Sequence, residues 1–122
     1  MQDNIPIVRV DKAAQYKKEL KKLGKKYYSI EEDIEPLIEK LETGETPGDK
    51  ISGNKYSVYK VRVKNSNINK GQSGGYRVIY YTVTPDAVLL TAIYSKSVQE
   101  NISNEEIETR IERYELEVEQ QK

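Results

Sequence analysis

The sequence predicts an α+β domain, with two helices near the N-terminus, three consecutive antiparallel strands and a closing helix. Three observations carry this. Apolar residues recur at three- and four-residue spacing through residues 12–41. Between residues 56 and 97 they alternate with polar residues or run together in three short stretches, separated by Gly, Pro, Asn and Asp. After Ser103 the helical spacing returns. The expected order is β-α-α-β-β-β-α, and 122 residues suit one domain spanning 1–122.

Residues 5–10 read as a first strand, with Pro6 placing it at a sheet edge or a strand start. Asp11 is then positioned to cap a helix over 12–26. Ala13, Tyr16, Leu20, Leu23 and Tyr27 form its apolar stripe, and Gly24 marks its approaching end. The other face carries Lys17, Lys18, Lys21, Lys22, Lys25 and Lys26. Such a row is either a solvated face or a contact for the phosphates of a large nucleic-acid surface. Ser29 and Glu32 have capping-box spacing for a second helix. Ile34, Leu37, Ile38 and Leu41 form its stripe, and Pro36 predicts a kink or a late start. The helix should end by residues 43–44, and 44–55 reads as loop.

From 58 to 64 the alternation is clean. Tyr59, Val61 and Val63 point one way, and Lys60, Arg62 and Lys64 the other. A glycine-rich hairpin loop over 65–75 leads to a strand over 76–84, a turn at Pro85 and Asp86, and the most apolar strand, 87–95. Ser103 and Glu106 repeat the capping box and start an acidic last helix, 103–121, with Ile107, Ile111, Tyr114 and Val118 as its stripe. Glu105 and Glu106 suit the positive end of its dipole. The helix either packs with a solvated glutamate face or lends its stripe to a protein partner.

Composition excludes several chemistries. The chain has no cysteine, so disulfides and thiolate metal sites are ruled out, and no histidine, so an imidazole base and His-bound zinc are too. No metal and no cofactor are expected. No apolar run reaches the roughly 18 residues of a membrane span, and MQDNIPIVRV lacks a basic, apolar leader pattern. A cytoplasmic protein is expected. Net charge is zero but unevenly spread: residues 1–100 hold 17 Lys/Arg against 13 Asp/Glu, residues 101–122 hold 3 against 7. A free-standing nucleic-acid binder is usually basic throughout, so a local basic patch is the better reading.

Lys60, Arg62 and Lys64 are the clearest functional signal. Three like charges on one strand face repel one another and require solvent or an anionic partner. Arg77 follows Gly74 and Gly75 at the start of the neighbouring strand, where the hairpin brings it beside that row. A guanidinium clamps phosphate with paired hydrogen bonds. The alternative for Arg77 is a structural salt bridge. Lys70, in the hairpin, and Tyr94 and Lys96, at the end of the last strand, are placed to edge the same patch. Basic groups around a phosphate can stabilise charge developing in a transition state and hold a ribose 2′-hydroxyl in line with its own phosphorus.

YKVRV, SGGYRVIYY and LLTAIYSKSVQENIS, in this element order, resemble the RelE/ParE superfamily of bacterial type II toxins, and most nearly its HigB-like, RelE-type branch. The likeness covers residues 12–107. It implies a RelE-like fold, with an antiparallel sheet packed on two N-terminal helices. It also implies a metal-independent, ribosome-dependent mRNA endonuclease that acts in the A site and is blocked by a cognate antitoxin. Lys60 and Arg62 match the two basic positions of the second strand in RelE-type toxins, and Arg77 matches the arginine of their GYR motif. These three are implied as catalytic, with Lys64, Lys70, Tyr94 and Lys96 binding RNA. The family's C-terminal tyrosine base is matched only by position, at Tyr94. ParE-type relatives share the fold and inhibit DNA gyrase instead. A catalytically weak relative acting only by binding is the third reading.

Overall fold

A computed structural model describes residues 7–68, 75–98 and 101–121. The apolar run near the end of the chain becomes the backbone of the structure. Strand β5, Ala87–Ser95, is buried along its whole length. That explains why its sequence runs apolar instead of alternating. Antiparallel to it lies β4, Tyr76–Thr84, then β3, Val58–Val63, then the two-residue β2, Asp49–Lys50. On its other side lies β1, Arg9–Lys12, in parallel, so the sheet order is β1-β5-β4-β3-β2.

The sheet is therefore mixed, where a purely antiparallel one was expected. The first strand enters beside the last, and everything between them serves as the long connection that parallel neighbours need. It is placed at Arg9–Lys12, later than the expected 5–10; residues 5 and 6 lie outside the described residues. The strand β2 inside the expected loop is a second addition. It depends on Gly48, whose φ is +92° and where a Cβ would stand 2.4 Å from the Lys60 carbonyl oxygen. Only glycine tolerates both.

Helices α1, Ala14–Lys26, and α2, Ile30–Glu42, cover the sheet face that carries Tyr76, Val78 and Tyr80. Tyr27, at the end of α1, meets the Tyr76 ring edge-on at 5.8 Å, and Tyr80 stacks on Tyr59 at 5.3 Å. The last helix, α3, Asn104–Gln120, lies on the opposite face. Its Ile107 and Ile111 are fully buried, and its Glu112 reaches Lys55 at 2.7 Å beside the Tyr56–Tyr81 ring pair. The helix stripe fades beyond Tyr114, so Val118 is exposed instead of packed. Among the described residues no helix is long and apolar enough to cross a membrane.

Two expected caps are not made. Asp11 belongs to β1, and the residue before α1 is Ala13, with no side-chain cap and its amide donating to the Leu90 carbonyl. The Asp11 carboxylate instead accepts from Arg9 Nε and the Tyr114 hydroxyl, each at 2.9 Å, pinning α3 to the first strand. Ser29 does precede α2, but it is tied to Asn67, its amide donating to Asn67 Oδ1 at 2.9 Å. A tertiary contact has replaced the local box. Nor does Pro36 delay the helix, which starts at Ile30 and runs through it. At α3 the box forms as expected, Ser103 Oγ accepting from the Glu106 amide at 3.1 Å.

A candidate anion-binding row across the sheet

Register decides what the basic residues can do. Arg62 of β3 stands directly opposite Arg77 of β4, and Arg77 directly opposite Tyr94 of β5. Opposed residues have Cβ atoms about 5 Å apart. A single row of two guanidiniums and a phenol thus crosses three strands on one face. Lys60 lies one step along that face, opposite Ile79. These four expected residues are brought together.

Their environments differ in a way the alternation did not show. Arg62 is exposed and Lys60 half-buried, with its ammonium donating to Asn101 Oδ1 at 3.2 Å. Arg77 is only 7% exposed, and its Nη1 donates to the Tyr76 carbonyl at 3.2 Å. Among the described residues no carboxylate pairs with Arg62 or Arg77. The salt-bridge alternative for Arg77 therefore finds no partner there. A like-charged cross-strand pair destabilises a sheet, and a buried charge is costly unless paired. An anion bridging the two guanidiniums would relieve both.

The remaining expected residues fall at the margin. Lys64 follows β3 and is exposed. Lys96 follows β5, half-buried, its amide donating to the Gly75 carbonyl at 3.0 Å and closing that end of the β4–β5 pair. Lys70 lies outside the described residues. Val58 is buried although it shares the face of Lys60 and Arg62, because α3 roofs that end. The row is thus open toward Arg62 and closed beyond Lys60.

Sequence reasoning missed the cluster that holds this frame. Arg110 of α3 is 9% exposed and donates to both carboxylate oxygens of Glu19, at 3.0 and 2.8 Å, to Glu106 at 2.9 Å and to the Thr91 carbonyl at 3.1 Å. Burial opposes the Arg110 charge, but the bonds to Glu19 and Glu106 outweigh it and hold its pKa above the ordinary value. Glu19 also accepts the Ile93 amide at 3.1 Å, covering the β5 edge where β1 has ended. The Thr91 carbonyl is free to reach Arg110 because Thr91 is the extra residue of a bulge: Ile79 pairs with Ala92 but Tyr80 with Leu90. The Glu106–Arg110 spacing of four was a visible hint; the link to Glu19, 91 residues away, was not.

The fold and site together define a small α+β protein with two guanidiniums and a phenol in one row across its sheet. The chain matches the model of the RelE toxin of the RelE/RelB toxin–antitoxin system over residues 8–115, and it belongs to that family. It is thus a toxin of a toxin–antitoxin system, a class whose members pair with antitoxins. No protein of curated function matches it.

Proposed function

We propose that this toxin is an mRNA endonuclease that cuts message in the ribosomal A site, working in the cytoplasm as one domain without metal or cofactor. The observation that carries the reading is Arg77, buried and directly opposite Arg62, with no carboxylate on either among the described residues. An RNA phosphate fits that demand. In the reaction the 2′-hydroxyl attacks the adjacent phosphorus, loses its proton, and the 5′-oxygen leaves and is protonated, giving a cyclic phosphate and a 5′-hydroxyl. Arg77 and Arg62 bind the non-bridging oxygens and stabilise their growing charge, with the Lys60 ammonium beside them. Tyr94, directly opposite Arg77, is by that position our candidate to accept the 2′-proton. Lys64, Lys70 and Lys96 hold flanking phosphates.

The near-zero net charge supports a ribosome-dependent enzyme, since the ribosome does the positioning that a strongly basic protein would otherwise do itself. The HigB-like placement belongs to the same proposal and rests on KVRV, SGGYRVIYY and IYSKSVQENIS. The antitoxin's role in it is to cover the Arg62–Arg77 row.

Primer extension on a reporter mRNA in a cell-free translation system tests this, with a parallel lane of naked mRNA. Cuts confined to translated message are expected. Intact message with unimpaired translation sinks the reading and turns attention to gyrase inhibition, as in ParE-type relatives, or to binding alone. Cuts on naked RNA keep the nuclease and remove the ribosome from its mechanism.

A further inference from the structure

The six lysines of α1 are not one surface. Lys18, Lys22 and Lys26 form one row, and Lys17, Lys21 and Lys25 another, turned by about 100° around the helix. Only the first row borders the groove of about 450 Å³ between α1 and the end of β5. The floor of that groove includes Ile93, Tyr94 and Ser95, and its far rim is Val98, 77% exposed. Tyr94 is also the third member of the Arg62–Arg77 row. The groove and the row thus meet at Tyr94, and the lysine wall of the groove runs for about 12 Å along the helix axis, eight residues at about 1.5 Å each.

Among the described residues one carboxylate lies within the groove, that of Glu19. Its charge is already matched by the two bonds from Arg110, so it does not offset the lysines. What remains is a largely apolar channel with a wall of exposed ammonium groups at regular spacing, sharing Tyr94 with the guanidinium row. We infer that this groove carries the phosphate backbone of the substrate strand flanking the cut, with Lys18, Lys22 and Lys26 each meeting a phosphate. The apolar floor and Val98 face the sugars and bases, which suits a single strand better than an acidic protein segment. The inference rests on the RNA-cleavage reading and names its substrate track.

The test uses the whole protein and uncleavable 2′-O-methyl RNA oligonucleotides of three and ten residues, extended on either side, with binding followed by fluorescence anisotropy at several salt concentrations. Extension on one side should tighten binding by tenfold or more. The triple variant Lys18→Gln, Lys22→Gln, Lys26→Gln should lose that gain, and its salt slope should fall by about 2, at about 0.7 per phosphate on a single strand. The triple variant Lys17→Gln, Lys21→Gln, Lys25→Gln carries the same charge change and should keep the gain. Equal loss in both triples, or loss in neither, overturns the track. Trinucleotide binding that needs Arg77 but shows no length gain overturns the track alone, and so does an absence of RNA binding by the wild type, whereas the cleavage reading falls only if translated message stays intact. A poly-glutamate peptide that competes as well as RNA of equal charge assigns the groove to an acidic protein segment and likewise refutes the proposal.

Discussion

Replacing Arg77 by methionine separates a functional arginine from a structural one, because the two roles give stability changes of opposite sign. Methionine keeps the length and much of the volume of the stem, so packing changes little. The change removes a like-charge pair opposite Arg62, worth about 0.2–1 kcal/mol. It also removes a buried guanidinium that no carboxylate offsets among the described residues. Against this stands the loss of the Nη1 bond to the Tyr76 carbonyl, about 1 kcal/mol. The desolvation relief should exceed that loss, leaving the variant more stable by about 1 kcal/mol and raising Tm by about 4 °C. Activity should fall at least about 100-fold, the usual cost of deleting one donor to a charged transition state. Urea unfolding measures the first quantity and cell-free message cleavage the second. Inorganic phosphate should stabilise the wild type more than the variant, since only the wild type keeps both guanidiniums to bind it. Destabilisation by more than about 1 kcal/mol would refute the reasoning and make Arg77 a structural residue.

Other outcomes follow from the frame around the row. Arg110→Met should cost about 2–3 kcal/mol in urea unfolding, toward the low end for a broken buried ion pair because the Glu19 and Glu106 side chains are 26% and 48% exposed. Gly48→Ala should destabilise by about 2 kcal/mol or more, from the positive φ and the clash with the Lys60 carbonyl, and should loosen amide protection at Ile51, which donates to Val58. Tyr16 and Tyr76 are fully buried, and among the described residues their hydroxyls have no hydrogen-bond partner, so Tyr16→Phe and Tyr76→Phe should each be neutral or stabilise by about 1 kcal/mol. Burial raises both phenol pKa values, with nearby carboxylates adding to it, from an ordinary 10.0. The folded state thus keeps its protons where the unfolded chain loses them. Stability is full below about pH 10 and falls above it by about 1.4 kcal/mol per pH unit for each such tyrosine, and a denaturation series from pH 9 to 11 should show a shallower fall in each phenylalanine variant.

The helices and the three long strands were legible in the sequence because their signal is local. Tyr16, Ile34, Leu37 and Leu41 sit on buried stripes set by the helical repeat, and the burial of Val58–Val63, Tyr76–Thr84 and Ala87–Ser95 follows strand patterning and length. The basic row was legible for the same reason, since alternation puts Lys60 and Arg62 on one face whatever they pair with. The caps at Asp11 and Ser29 misled because each side chain found a better partner far along the chain, Tyr114 and Asn67 respectively. A capping motif reports only what is available nearby.

Sequence by itself therefore determined the element types, the basic face and, through its motifs, the family. Tertiary structure alone decided three things that depend on which segments become neighbours. β1 joins β5 in parallel, and β2 caps the far edge. Arg62, Arg77 and Tyr94 fall into one register, a matter of single-residue alignment between strands that no local pattern encodes. Arg110, read locally as one more charge on an acidic helix, becomes the bolt between α1, the β5 bulge and α3, because burial makes a charge seek partners wherever the fold supplies them.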